Sequence, residues 1–282
     1  MDKEYILETV NLNFKYQDGT KALNNINLKI EKGKKISFLG VNGSGKSTLF
    51  LNFNGILKPS SGKLLYDGNE IKYNQASLRA LRKNVGIVFQ DPDNQLFSAS
   101  VYQEVSFGPM NLKLEESEVR NRVEVALTNT GMIEFSDKAV HFLSYGQKKR
   151  VAIADIIAMK PEIIILDEPT SSIDPKHSKQ IVKIFDELNE KGMTVILSTH
   201  DVELAYTCSD YIFVMKDGEI VKEGTPYEIF SDDELICNSY LEKPLILEIY
   251  EVLCKNGDVD FMPHNNVPRN KEELFKILKR IN

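Results

Sequence analysis

The sequence predicts an α/β fold: a core of buried parallel strands and helices, an antiparallel β part ahead of it, a helical block inserted in its middle, and a small α-rich C-terminal extension. Three observations lead there. Residues 4–16 and 21–30 alternate polar and apolar, the period of half-exposed antiparallel strands. The short apolar runs Ile163–Leu166 and Val195–Leu197 have the composition of strands covered on both faces. Between about 100 and 160 the pattern turns helical, with Val119, Val123, Ala126 and Leu127 on one face.

The elements follow in order. Lys35–Leu39 reads as a short strand that enters a Gly-rich turn, with a helix from Lys46. Leu64–Ile71 holds Asp67-Gly68, a strong hairpin signal. Val85–Gln90 is a further strand. A helix begins near Ser144 and stops at Pro161, because proline cannot donate to the helical ladder. Strand Ile163–Asp167, helix 176–191, strand Thr194–Thr199 and a short helix after Asp201 complete the α/β alternation. Asp217-Gly218 closes a second hairpin. Thr225-Pro226-Tyr227-Glu228 combines a capping hydroxyl, a first-turn proline and a glutamate three residues on, which starts a helix. From about 231 a separate tail is expected, its helices interrupted at Pro244, Pro263 and Pro268 and the last one capped by Asn270. The division is thus 1–230 for the main unit, with its helical part at about 100–160, and 231–282 for the extension.

Composition narrows the function. The chain has 282 residues, 42% hydrophobic and 27% charged, which suits a packed core and not a disordered or fibrous chain. A net charge of −6 argues against nucleic acid as the main partner. Cys208, Cys237 and Cys254 are too widely spaced for a zinc site and read as reduced thiols. The charged start Met1-Asp2-Lys3-Glu4 does not read as a signal peptide. No apolar run approaches the roughly 20 residues of a spanning helix. A role at a membrane would therefore need a partner to hold the chain there.

Gly40-Val-Asn-Gly43-Ser-Gly45-Lys46-Ser47 matches the phosphate-loop pattern G-x-x-x-x-G-K-[ST] in full, after a strand and before a helix. Glycines let successive amide hydrogens turn toward phosphate oxygens, and the helix N-terminus adds positive potential. Gly40, Asn42, Gly43, Ser44, Gly45, Lys46, Ser47 and Thr48 are the expected contacts to the phosphates of ATP. Lys46 should hold the β- and γ-phosphates, and Ser47 should ligand Mg²⁺. Asp167 and Glu168, ending an apolar strand, complement the loop. Asp167 is expected in the Mg²⁺ shell and Glu168 as general base for the attacking water. An ordinary Gly-rich turn and an ordinary acidic strand end are the competing readings. The two motifs together outweigh them and make the core that of a phosphate-loop ATPase.

Leu143-Ser144-Tyr145-Gly146-Gln147 is similar to the LSGGQ signature of ABC transporter ATPase subunits. Gln90 matches that family's Q-loop, Ser171-Ser172-Ile173-Asp174 its D-loop and His200 its switch histidine, all in the family's order over residues 4 to about 230. The resemblance implies that Tyr16 stacks on adenine, and that Gln90 reaches Mg²⁺ or the attacking water. It implies that His200 contacts the γ-phosphate. Ser144, Gly146, Gln147 and Asp174 would complete nucleotide held by another subunit. Read alone, each of these residues has a plainer role: a packed aromatic, a solvated glutamine, a structural histidine, a helix cap. Two departures stand out: Tyr145 replaces the first glycine of the signature pair, and Asp155 stands where a small residue is common.

Gln90–Phe97 and Glu104–Pro109 are similar to the same stretches of energy-coupling-factor importers and their cobalt or nickel relatives. The resemblance implies an ATPase motor for cobalt, nickel or vitamin uptake. Its partners would be a second ATPase subunit, identical or paralogous, a transmembrane coupling subunit and a substrate-binding membrane subunit. The chain would lie on the cytoplasmic face of the cell membrane, with the extension helping to join the two ATPases. A soluble non-transport ABC ATPase is the alternative, but those usually carry paired cassettes, coiled coils or basic surfaces. A phosphate-loop kinase is another, opposed by the signature, D-loop and switch histidine.

Overall fold

The computed structural model describes residues 4–171, 173–257, 259 and 266–279. Ser172 of the D-loop and Pro263 of the extension lie outside these described residues. Strands β1 (Tyr5–Lys15) and β2 (Lys21–Glu31) pair antiparallel, as the alternation predicts, with Leu12 opposite Ile26 and Phe14 opposite Leu23. Strand β3 (Lys35–Leu39) leads through the glycine loop to α1 (Lys46–Phe53). Strands β4 (Ser61–Tyr66) and β5 (Asn69–Glu70) turn at Asp67-Gly68, both with positive φ. Helix α2 (Gln75–Asn84) was not expected from the sequence. Its apolar face is short, buried Leu81 and half-buried Leu78 both lying against Gly55, and the Asn74 side chain accepting the Ser77 amide starts it. Strand β6 (Val85–Val88) stops two residues short of Gln90, because the Phe89 amide donates to Gln95 Oε1 instead of to a strand.

Helices α3 (Val101–Asn111), α4 (Glu116–Asn129) and α5 (Tyr145–Ala158) form the helical block. Then come β7 (Ile163–Asp167), α6 (Pro175–Glu190), β8 (Thr194–Ser198), α7 (Val202–Cys208), β9 (Tyr211–Lys216) and β10 (Glu219–Gly224). Helix α8 (Pro226–Phe230) carries the expected Thr225–Glu228 capping box. The tail holds α9 (Asp233–Asn238), α10 (Leu245–Asn256) and α11 (Lys271–Leu278), the last capped by Asn270.

Two sheets result. The antiparallel one has the order β2-β1-β4-β5. The other has the order β10-β9-β3-β8-β7-β6; β9 through β6 are parallel and β10 pairs antiparallel to β9. Between the sheets, Phe38, Phe50 and Phe53 pack with Ile26, Ile36 and Ile165. On the opposite face, Val123, Leu127, Val151 and Ile153 of the helical block pack with Ile164, Leu166 and Leu197. The helical block is thus continuous with one face of the parallel sheet.

A third cluster ties the tail to the main unit, instead of leaving it apart. Ile246, Leu247, Tyr250, Leu274 and Ile277 pack on Leu39, Tyr206, Ile212 and Val214. Tyr206 Oη donates to the Pro268 carbonyl at 3.1 Å, and Arg269 donates to the carbonyls of Tyr206 and Ser209 near the end of α7.

Asp155, on α5, sits among α3 and the turn after β6. Burial pushes its carboxyl up to about 7 from 3.8, with nearby Glu104 adding to the rise and a Gln95 hydrogen bond opposing it. A carboxyl raised on folding keeps a proton that the unfolded chain has lost. Its contribution to stability is therefore full below pH 3.8 and declines as pH rises toward about 7. Asp155→Asn should remove that decline. We expect its melting temperature to match the wild type near pH 4 and to exceed it by about 2–4 °C at pH 7.5, as measured by scanning calorimetry across pH.

Candidate nucleotide site

The site is assembled at the carboxyl ends of the parallel strands. The loop after β3 is held from outside by the β9–β10 hairpin and by β2. The Gly218 amide donates to Ser44 O at 3.1 Å, and Asn24 N donates to Gly218 O at 2.8 Å. Gly40 adopts φ 146°, and a Cβ there would collide with the Met215 carbonyl. Gly45 adopts φ 103°, and its Cβ would lie 2.6 Å from Ala22 O. Both glycines are therefore required by close approach as well as by backbone angle. Gly43 also has positive φ but meets nothing, so its freedom serves the turn alone.

Lys46 opens α1 and is 7% exposed. Its Nζ donates to Gly40 O at 2.6 Å, to Val41 O at 3.1 Å and to Ser44 Oγ at 3.4 Å. Burial pulls its pKa down, while Glu168 and Asp167 act against that fall. The loop lysine and both carboxylates thus share one electrostatic neighbourhood. Asn42 and Ser47 are exposed at the loop's mouth. Thr48 is buried, and its hydroxyl is 2.9 Å from Tyr16 Oη. That bond brings Tyr16 beside the start of α1, its ring edge-on to Phe14 at 4.9 Å and partly exposed.

Asp167 ends β7 and Ser198 ends β8, and the two are paired in register. Ser198 Oγ donates to Asp167 Oδ1 at 2.5 Å and accepts the Glu168 amide at 3.0 Å. Glu168 takes φ 47°, a left-handed conformation uncommon for a residue with a side chain. Its carboxylate is buried. Oε2 lies 2.9 Å from His200 Nδ1, and Oε1 has no partner among the described residues. A buried carboxylate oxygen without a donor is costly, and here it sits next to the phosphate loop.

Sequence reasoning overlooked Ser198. Its signal was a pair of hydroxyls, Ser198-Thr199, ending an apolar run just before His200. Also overlooked was Lys149, fully buried on α5. Its Nζ donates to Gln90 O at 2.6 Å and to Phe89 O at 3.1 Å. Burial lowers its pKa to about 8 against the pull of Asp167, Glu168 and Asp91. A lysine in a lysine-arginine run gives no sign of burial in sequence alone.

Lys46, Asp167, Glu168 and His200 are thus gathered in one place. Gln90 lies at the edge of this group, exposed, with its carbonyl held by α5. The signature residues stand apart on the helical block. Ser144 and Gln147 form a reciprocal capping box at the start of α5, with Gln147 Oε1 accepting Ser144 N at 2.9 Å. At Gly146 a Cβ would meet nothing within 4 Å, so the first-turn backbone is open. Asp174 caps α6 by accepting the amides of Lys176 and His177, and its other oxygen is 2.5 Å from His177 Nδ1.

Among the described residues no group of three or more His, Cys, Asp and Glu side chains is placed to hold a metal ion by itself. A Mg²⁺ shared with nucleotide phosphates needs only one or two protein oxygens. The Ser47 hydroxyl and Asp167 carboxylate are hard oxygen donors of that kind and fit it. Among the described residues no helix is long and apolar enough to cross a membrane.

Comparison with known proteins identifies the family and the fold. The family model described as ABC transporter matches residues 23–171. The energy-coupling factor transporter ATP-binding protein EcfA of Methanococcus maripaludis is 53% identical, over 97% of this chain and 99% of its own. A putative ABC transporter ATP-binding protein of Methanothermobacter marburgensis is 52% identical over 91% of this chain and 92% of its own. Among solved structures, cbiO1 of Clostridium perfringens, part of the ABC transporter complex cbiONQ, has a TM-score of 0.75 and 51% identity, covering 84% of this chain and 94% of that one. A dimeric ATP-binding cassette in a post-hydrolysis state with ADP and Pi has a TM-score of 0.73 and 31% identity, covering 78% and 99%.

Ser198→Ala should leave Asp167 and the Glu168 amide each short of one partner. Unmet buried groups cost about 1–3 kcal/mol, so we expect kcat for nucleotide hydrolysis to fall about 10–100-fold. KM should change less than about threefold, since Ser198 is expected to touch no phosphate. Steady-state phosphate release checks both numbers.

Proposed function

This chain belongs to the ABC transporter family of ATP-binding proteins, and from that premise we propose that it is the ATPase motor of an energy-coupling-factor type importer. It binds ATP and hydrolyses it to ADP and phosphate. The observation that carries the mechanism is Glu168: a buried carboxylate with one oxygen steadied by His200 and the other without a donor among the described residues. Such an oxygen is positioned to take a proton from water attacking the γ-phosphate. Lys46 and the loop amides stabilise charge on the phosphates as it develops. Ser47, Asp167 and Gln90 would hold Mg²⁺, which when bound would neutralise charge on the phosphates. His200, bonded to Glu168, sits where it can report the γ-phosphate to the base. Tyr16, beside Thr48, would carry the adenine.

The signature residues lie away from the chain's own phosphate loop. Ser144, Gly146, Gln147 and Asp174 would therefore act on nucleotide held by a second ATPase subunit, identical or paralogous. The first-turn amides of α5 have no intrahelical carbonyl to bond; Ser144 Oγ caps that of Gln147, and the space beside Gly146 is open. ATP then closes a head-to-tail dimer, and hydrolysis reopens it. The cassette is residues 1–230, with its helical part at about 100–160, and the 231–282 extension assists dimerisation. The dimer would drive a transmembrane coupling subunit that works with a substrate-binding membrane subunit. The chain itself would stay peripheral, on the cytoplasmic face of the membrane. Cobalt, nickel and vitamin cargo suit this reading equally, because the residues described here meet nucleotide and not cargo.

Glu168→Gln keeps the shape and removes the base. We expect Mg²⁺-dependent ATP binding to persist while turnover falls about 10²–10⁴-fold, and ATP to trap a dimer visible by sedimentation. Hydrolysis at the wild-type rate in this variant would show that Glu168 is not the base.

A further inference from the structure

Three consecutive grips join the start of α5 to the turn after β6. Tyr145 Oη donates to Gln90 O at 2.9 Å. Lys149 Nζ donates to the same carbonyl at 2.6 Å. Lys148 Nζ lies 2.6 Å from Asp93 Oδ1. Asp91 stiffens the gripped turn by accepting the Asp93 amide at 3.0 Å. The two neutral or buried donors converge on one oxygen, so both lone pairs of the Gln90 carbonyl are directed at the signature helix. Burial, with Asp91 and Asp93 nearby, raises the Tyr145 phenol above its ordinary pKa, and it keeps the proton it donates.

Tyr145 is the residue that replaces a glycine of the usual signature. Its ring is folded back to its own Gln90, leaving the Gly146 backbone open. A glycine at 145 could make no such bond. We propose that Tyr145 is a positioning residue that locks the Gln90 turn to the first turn of α5, so that engagement of nucleotide on a chain's own phosphate loop orients the Ser144–Gly146 amides that the chain offers to its partner. The inference rests on the reading of the signature as acting across a dimer. The side chain acts through the Gln90 carbonyl, a directional contact at the N-terminal end of α5.

Tyr145→Phe removes one hydroxyl and keeps the ring. It is tested in the Glu168→Gln background, where closure can be read without turnover, alone or with the second ATPase if the pair is mixed. Mg²⁺-ATP affinity is measured on dilute, unpaired chain with a fluorescent analogue, and closure by sedimentation against ATP concentration. We expect affinity within twofold of the parent, an unchanged melting temperature, and about fivefold more ATP needed for half-maximal pairing, the weight of one neutral hydrogen bond. Closure at the parent's ATP concentration would overturn the proposal. So would a variant in which affinity, closure and melting temperature fall together, because that marks general loosening. A Glu168→Gln parent that binds ATP and never pairs would remove the dimer reading first, and the proposal with it.

Discussion

One ammonium and two carboxylates are buried together at the ends of β3 and β7, and the rest of the site exists to make that tolerable. Charge taken out of water is expensive unless it is paired and hydrogen-bonded. Lys46 is met by two loop carbonyls and a hydroxyl, Asp167 by Ser198, and Glu168 by His200. One oxygen of Glu168 is left over. The parallel order β9-β3-β8-β7-β6 makes the grouping possible, because the loops after β3, β6, β7 and β8 all open at one end of the sheet. Each of those four loops supplies one expected functional residue or motif: the phosphate loop, Gln90, Asp167-Glu168 and His200.

Much of this was legible in sequence. Buried strands announce themselves by uninterrupted apolar runs, and β7 and β8 lie where those runs lie. The phosphate loop is legible because its glycines are forced by geometry: Gly40 and Gly45 have no room for a side chain. The hairpins at Asp67-Gly68 and Asp217-Gly218 follow from turn chemistry that needs positive φ. What was not legible depends on distant neighbours. Helix α2 is ten residues long and turns only Leu78 and Leu81 inward, too brief a stripe to stand out among its charged neighbours. Ser198 matters because β8 pairs beside β7, a fact of strand order. Lys149 is indistinguishable from Lys148 and Arg150, both only half-buried, until α5 is packed. The docking of the tail likewise arises from residues over 200 positions apart in sequence, Leu39 and Tyr250 among them.

The docked tail changes how the switch side of the site is supported. Helix α7 begins two residues after His200 and ends where Arg269 donates to the carbonyls of Tyr206 and Ser209. Those carbonyls belong to the last turn of a short helix, which otherwise leaves them unsatisfied. A cation there also suits the helix dipole. The extension thus caps the element that follows His200, and it buries Tyr206 while doing so. A segment that helped pair two ATPases would, in this arrangement, be mechanically joined to the histidine that holds the base.

Helix α5 answers two masters by two kinds of force. Its apolar face, Val151 to Ala158, belongs to the same cluster as Ile164 and Leu166 of β7, so it rides on the strand that ends in Asp167. That packing fixes how α5 lies against the sheet. Its first turns, by contrast, are fastened by hydrogen bonds and an ion pair to one short stretch, Phe89–Asp93. If Tyr145 locks that stretch as proposed, the orientation of the signature end follows the Gln90 turn, the part of the chain that would sense whether nucleotide and Mg²⁺ are in place.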